Sequence, residues 1–406
     1  MALSDINLWD KDRFVEGVPH EWFTELRREA PVFKHHAGDD YGESEFWCVS
    51  GYDDVVTVNR DNATFSSARG LVFLWDPPPD QLEQQRLLML NMDPPMHTRY
   101  RRLINKGFTP RMVSELESTM RKRTTEIIDR VADQGECDFV TDIASELPLQ
   151  VIADLMGVPQ EDRHKLFDWS NRMIGAEDPE YGVTQEMAQH ASMELYAYAS
   201  ELAAKKRADP KDDLISVLSQ ASVDGEQLTE LELDLFFLLL SVAGNETTRN
   251  LMSHGMVALL EHPDQLERLR AHRDLVPGAT EEMLRWASPV LHFRRTATQD
   301  LVLGGKDIKA GDKVVIWYIS ANRDEDVFAD PFTFDIERTP NEHVAFGGGG
   351  PHFCLGANLA RMEIQVMFDL VLDRLHDIEM TAPPARLRSN FINGLKHIPL
   401  KFTAKG

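Results

Sequence analysis

The residues best suited to chemistry lie in one stretch, Phe346-Gly-Gly-Gly-Gly-Pro351-His352-Phe353-Cys354-Leu355-Gly356-Ala357-Asn358-Leu359-Ala360-Arg361. Consecutive glycines reach backbone conformations closed to other residues, so this main chain can press close to a flat or bulky ligand. Pro351 stiffens the turn. From Leu355 the sequence offers good helix formers, including Ala357, Leu359, Ala360, Arg361, Met362 and Glu363. The pattern predicts Cys354 at a helix N-terminus, where unpaired N–H groups and the macrodipole favour an anion. A thiol there ionises more readily, and the thiolate is the form that binds metals. With no second cysteine or histidine at zinc-like spacing, one axial thiolate suits a haem iron better than a tetrahedral zinc site. Two plainer readings stand beside this one. A lone cysteine is more often a small buried hydrophobe. A glycine run before a helix can also cradle a phosphate, although the Lys-Ser/Thr that completes such a loop is missing here.

Two further stretches carry polar groups at telling positions. In Asp93-Pro-Pro-Met-His97-Thr-Arg99-Tyr-Arg101-Arg102 the prolines block helix before His97. A helix then follows on which His97 and Arg101 share a face. Two such donors could hold a carboxylate or could form a solvated basic stripe. Between Leu228 and His262, apolar residues surround the first half of a helix completely, which predicts burial on all sides. Its middle reads Ala243-Gly244-Asn245-Glu246-Thr247-Thr248. Glycine and threonine weaken a helix, and threonine hydroxyls can bond preceding carbonyls and bend it. A buried Glu246 demands either a task or a partner such as an arginine. Glu282-Met-Leu-Arg285 places opposite charges three apart on a helix, a weak signal alone.

Taken together these motifs resemble the cytochrome P-450 family, and the resemblance covers nearly the whole chain. It implies Cys354 as the proximal ligand of a thiolate-ligated haem b (iron protoporphyrin IX), with Phe346 and Phe353 beside the sulfur and Gly356 completing the loop. Phe346 stands eight residues before Cys354, where the commonest family pattern has seven. His97, Arg101, His352 and Arg295 are implied as donors to the haem propionates, with Arg294 the neighbouring rival of Arg295. On the long helix, Ala243 and Gly244 would open a groove for dioxygen. Thr247 would hydrogen-bond the oxygen being activated, and Glu246 would feed protons through water. Glu282, Arg285 and Arg338 match the family's buried structural cluster.

The implied fold is mainly α with a small β-rich lobe, the haem lying between the long central helix and the Cys-loop helix. The implied activity is a monooxygenase that hydroxylates an unactivated C–H bond of a hydrophobic substrate. It would use O2 and two electrons from a ferredoxin served by its reductase. Gln85–Asp93, Ala243–Asn250 and Arg386–His397 look closest to the subgroup that hydroxylates the terminal methyl of sterol side chains and methyl-branched lipids. Candidate pocket residues are Val72, Phe73, Leu74, Trp75, Met89, Met173, Ile174, Leu291, Phe293 and Phe391. Terpene or macrolide hydroxylation is the alternative within the family. A haem-binding or sensor protein without oxygenase activity is the alternative outside it, although neither it nor a peroxide-using relative would need the Glu246-Thr247 pair.

The elements that must position these groups can be read in outline. Residues 21–30 have helical spacing, and Pro31–His35 and Glu45–Ser50 read as strands. Phe65 to Met92, without one period, reads as a binding loop or lid, or as irregular packing filler. Residues 111–222 read as helical throughout, broken at Gly135, Gly157-Val-Pro159, Glu177-Asp-Pro179 and Pro210, with a substrate roof implied at 169–183. Val290–Ala297 reads as a strand, Gly304–Tyr318 as a hairpin, and Phe391–His397 as a turn within the last strands. No linker divides residues 1–406, which therefore read as one domain with 42% hydrophobic residues to fill its core.

The net charge of −24 disfavours nucleic acid and anionic membrane as partners. Arg361, Arg102, His352 and Lys106 nonetheless read either as a basic island suited to an acidic ferredoxin or, for the arginines and His352, as groups spent on the haem. The scattered Cys48, Cys137 and Cys354 argue against a disulfide framework and for a reducing compartment. The first residues lack the pattern of a signal peptide, and the most apolar run, 235–244, is about half a membrane span. A cytoplasmic protein without a membrane anchor is expected.

Overall fold

The computed structural model describes residues 1–36, 45–76, 82–83, 85–105, 110–175, 178–223 and 225–404 of the 406. Lys106, Gly107-Phe-Thr109 and Pro77–Pro79 lie outside these residues. The chain divides into two compact units. One comprises Met1–Thr98, Glu281–Cys354 and Arg386–Gly394, and the other Arg99–Thr280, Leu355–Ala385 and Leu395–Gly406.

The first unit is built on a five-stranded sheet in the order Val32–His35, Phe46–Val49, Lys313–Trp317, His292–Ala297, Phe65–Ser66. Side chains alternate faces along a strand, and both faces here are covered. Trp47, Val49, Val314 and Ile316 enter one core with Val55 and Val58 of the helix Tyr52–Arg60. Phe46, Cys48, Val315 and Trp317 enter the other with Phe23 and Leu26 of the helix His20–Glu29. This explains why Phe46–Val49 and residues 314–317 are continuous apolar runs. The expected hairpin from Gly304 to Tyr318 is corrected. The hairpin pairs Leu301–Leu303 with Lys306–Ile308 around Gly304 and Gly305, whose φ values are +53° and +72°. Lys313–Trp317 instead pairs antiparallel with His292–Ala297 and parallel with Phe46–Val49.

Glu282, Arg285 and Arg338 meet as the motif implies. On the helix Val276–Ala287, Arg285 donates to both oxygens of Glu282 at 2.7 and 2.8 Å. Arg338 Nε reaches the same carboxylate at 3.2–3.3 Å, and Asn341 adds a donor at 3.1 Å. Arg285 and Arg338 also bond the carbonyl of Thr333. The cluster thereby holds the irregular chain leading towards the glycine run. With Glu282 and Arg285 fully buried, removing one partner would strand a charge, at about 3–5 kcal/mol.

The second unit is helical around Glu230–Glu261, which packs on Gln185–Ala208 and Glu146–Met156. Thr229 and Glu232 form a reciprocal capping box that fixes its start. Gly157, with φ +74°, closes the helix Glu146–Met156 as expected of a left-handed cap. The expectation that 111–222 is helical apart from its four breaks is corrected at 136–144, directly after the break at Gly135. Glu136–Asp138 is a strand paired with Pro399–Lys401, and Phe139–Ala144 is a wider π turn. Among the described residues no helix is long and apolar enough to cross a membrane.

Candidate functional site

Cys354 is exposed, and its N–H donates to the carbonyl of Phe346 at 3.0 Å. That bond closes the eight-residue loop, so the additional glycine is absorbed without displacing Phe346 from the cysteine. The Phe346 and Phe353 rings meet edge to face at 6.5 Å. The helix begins at Ala357, two residues later than the sequence suggests, because Gly356 is its N-cap and supplies no capping side chain. The uncapped first turn therefore lies directly beyond the cysteine, the arrangement that favours a thiolate.

In the same unit the His97 and His352 rings stand 4.2 Å apart, and Ser67 Oγ lies 3.2 Å from His352 Nε2. Ser67 is itself fixed by its N–H to Asp93 at 2.8 Å. His97 is buried on the helix Met96–Ile104, with half-buried Arg101 one turn further on. The two candidate arginines separate clearly. Arg294 is taken by Asp76, a partner invisible in sequence, and faces Gly70 so closely that a Cβ there would meet its guanidinium at 2.5 Å. Arg295 is 3% exposed and donates to the Arg294 carbonyl at 2.8 Å. Among the described residues no carboxylate pairs with it. Burial holds its pKa below the ordinary value, and Tyr318 and the Asp93 carboxylate oppose that shift without forming an ion pair.

On the helix Glu230–Glu261 burial is interrupted along one stripe. Ala243 is exposed, and Val242, Gly244 and Thr247 are half-buried, while Ser241, Asn245, Glu246 and Thr248 are buried. A Cβ at Gly244 would approach Ile152 to 2.9 Å, so glycine keeps this helix close to Glu146–Met156. Thr247 Oγ1 donates to the Ala243 carbonyl at 2.7 Å. Glu246, 1% exposed, forms an ion pair with Arg249, and Ser170 Oγ stands at 3.5 Å. Burial raises the Glu246 pKa, and Arg249 opposes that rise. Arg249 in turn bonds Asn171 at 3.2 Å. Its three-residue spacing from Glu246 was the available signal for this pairing.

The proposed substrate residues are only partly brought together. Phe73 stacks on Trp75 at 5.7 Å and meets Phe391 at 5.2 Å, and Phe391 lies 5.7 Å from Phe293. These rings form one apolar wall in the first unit. Leu74 and Leu291 join the core cluster containing Trp317, and buried Val72 offers its carbonyl to Arg294 N. Met89 opens a short 3-10 turn, half-buried, in the first unit. Met173 and Ile174 end the helix Arg163–Ile174 of the second unit, half-buried.

The donor set therefore fits a thiolate-bound haem. It offers an exposed cysteine before an uncapped helix, a buried arginine that forms no ion pair among the described residues, and two adjacent imidazoles.

Comparison with known proteins agrees with this geometry. The profile of the family described as Cytochrome P450 matches residues 7–393. A steroid C26-monooxygenase of Mycobacterium tuberculosis is 46% identical, covering 97% of this chain and 91% of that protein. A methyl-branched lipid omega-hydroxylase of the same species is 42% identical, over 99% and 95%. The solved structure of a Mycobacterium marinum cytochrome P450 in complex with pseudoionone superposes with a TM-score of 0.90 at 38% identity, over 98% and 96% of the two chains. On these grounds the chain belongs to the cytochrome P450 family and is an oxidoreductase of that family.

Proposed function

We propose that this protein hydroxylates the terminal methyl of a sterol side chain or methyl-branched lipid. Membership of the family brings with it a thiolate-ligated haem iron, a hydrophobic substrate, dioxygen and a redox partner. The cofactor is taken to be haem b, held by Cys354, with Arg295, His97, His352 and Arg101 as donors to its propionates. When bound, that group supplies the activation of dioxygen. The chain's own residues do the rest. Thr247 and the Ala243-Gly244 opening provide the oxygen-side surface, and Glu246, ion-paired with Arg249, feeds protons to it through water. Buried Arg295 supplies a fixed positive charge. The redox partner is inferred to be a ferredoxin with its reductase, acting in the cytoplasm, with residues 1–406 working as one P-450 domain.

The observation that carries the substrate class is likeness over nearly the whole chain to a steroid C26-monooxygenase and a methyl-branched lipid hydroxylase. The Phe73, Trp75, Phe293 and Phe391 rings support it, since a lipid chain can bind them without an ion pair. Each buried methylene contributes about 0.8 kcal/mol. A terminal methyl has a stronger C–H bond than the methylenes beside it, so attack there requires that only the chain end be presented. The test is a spectral titration of the haem-loaded protein with cholest-4-en-3-one, a methyl-branched fatty acid, a monoterpene and a macrolide. The first two are expected to give the high-spin shift. A shift given only by the compact ligands would overturn the lipid reading while leaving the oxygenase intact.

A further inference from the structure

The four-glycine run rests on the last turns of the helix Tyr52–Arg60. A Cβ at Gly348 would meet Val56 Cα at 3.0 Å, and one at Gly350 would meet the Asn59 carbonyl at 2.4 Å. Gly347, Gly349 and Gly350 have φ values of +94°, +95° and +78°. Both crowding and conformation thus restrict these positions to glycine. A run of glycines is also the stretch with most conformational freedom to lose, so something must fix it. Its ends are tied by main-chain bonds, Gly347 N–H to Val344 at 2.9 Å and Cys354 N–H to Phe346 at 3.0 Å. Its middle is tied by a side chain: Arg60 Nε donates to the Gly348 carbonyl at 2.9 Å. The helix turn carrying Arg60 is itself anchored. Asn59 Nδ2 donates to the Val55 carbonyl at 3.1 Å, and the Tyr318 hydroxyl donates to Asn59 Oδ1 at 3.0 Å.

We propose that Arg60 is a positioning residue for Cys354. By holding the Gly348 carbonyl it fixes the enlarged loop whose far end presents the thiolate. The inference rests on Cys354 being the haem ligand. Arg60 acts through the loop, at the Gly348 carbonyl and beside Gly349.

The test uses full-length haem-loaded protein, its Arg60→Ala variant and its Arg60→Lys variant. Two quantities are followed: the lifetime of the red-shifted carbon monoxide band of the reduced protein, and the global unfolding midpoint. Loss of one charge-assisted hydrogen bond is expected to shorten the band's lifetime about ten-fold in Arg60→Ala. The unfolding midpoint should stay with the parent, and Arg60→Lys, which can still donate to Gly348, should recover most of the lifetime. The proposal is overturned if Arg60→Ala keeps the band as long as the parent. It is equally overturned if the loss merely follows a lowered unfolding midpoint, or if lysine gives no rescue. A parent protein without the red-shifted band would instead overturn the assignment of Cys354 as ligand.

Discussion

Glu246 and Arg249, one turn apart on the long helix Glu230–Glu261, form an ion pair with both side chains buried. The Glu246 carboxylate is therefore held by a cation on its own helix, with Ser170 and Asn171 beside the pair. Burial drives the Glu246 pKa up, and Arg249 is the main force against it. Removing the arginine by Arg249→Gln raises that pKa further. A carboxyl whose folded pKa lies above its unfolded value stabilises the fold while protonated, and this contribution is lost as pH rises through the folded value. Denaturant unfolding should show the variant destabilised by about 3–5 kcal/mol near pH 8 and by less near pH 5. Adding Glu246→Gln should restore most of the loss. Equal destabilisation at both pH values would contradict a charged Glu246.

Thr247 gives its hydroxyl hydrogen to the Ala243 carbonyl, which leaves its oxygen as an acceptor beside the exposed Ala243 and half-buried Gly244. Thr247→Ala should bind substrate with unchanged affinity but divert reductant into peroxide. Loss of one proton-delivery group lowers the product-forming rate by on the order of 10²–10⁴. The check is the ratio of product to reductant consumed, and a ratio equal to the parent's would remove Thr247 from the relay.

His397 ties three parts of the second unit together, through Asp138 and through Glu180 at 3.1 Å, while Lys396 holds buried Asp178 at 3.0 Å. The hydrogen bond to Asp138 raises the pKa of His397, with Glu180 adding to the effect and desolvation opposing it. A histidine with a raised folded pKa contributes stability that is complete below its unfolded value, about 6.5, and is lost as pH rises through the folded value. Amide exchange around Pro179–Tyr181 should therefore quicken across that window. His397→Asn should flatten the dependence, and an unaltered pH profile in the variant would refute the link.

Much of this arrangement was legible in sequence because its signals are local. The Cys354 loop, the His97–Arg101 turn and Glu282–Arg285 each lie within a few residues and need only a helix or a tight turn to form. What the sequence hid depends on distant partners. Nothing near Asp76 announces that it will take Arg294. Ser67 beside His352 is equally silent. Glu136–Asp138 is a strand only because Pro399–Lys401 pairs with it, and Glu-Cys-Asp has little strand preference of its own. Leu74 and Leu291 looked like pocket lining because apolar character does not distinguish a pocket wall from a core.

The proposed function depends on ligation of a haem iron by the Cys354 thiolate. Its most direct test is the carbon monoxide difference spectrum of the dithionite-reduced protein, recorded beside that of Cys354→Ser. The parent is predicted to show the strongly red-shifted Soret band of thiolate ligation, and Cys354→Ser to lose that band together with much of its haem. A parent without the band, or a serine variant that retains it, would contradict the account.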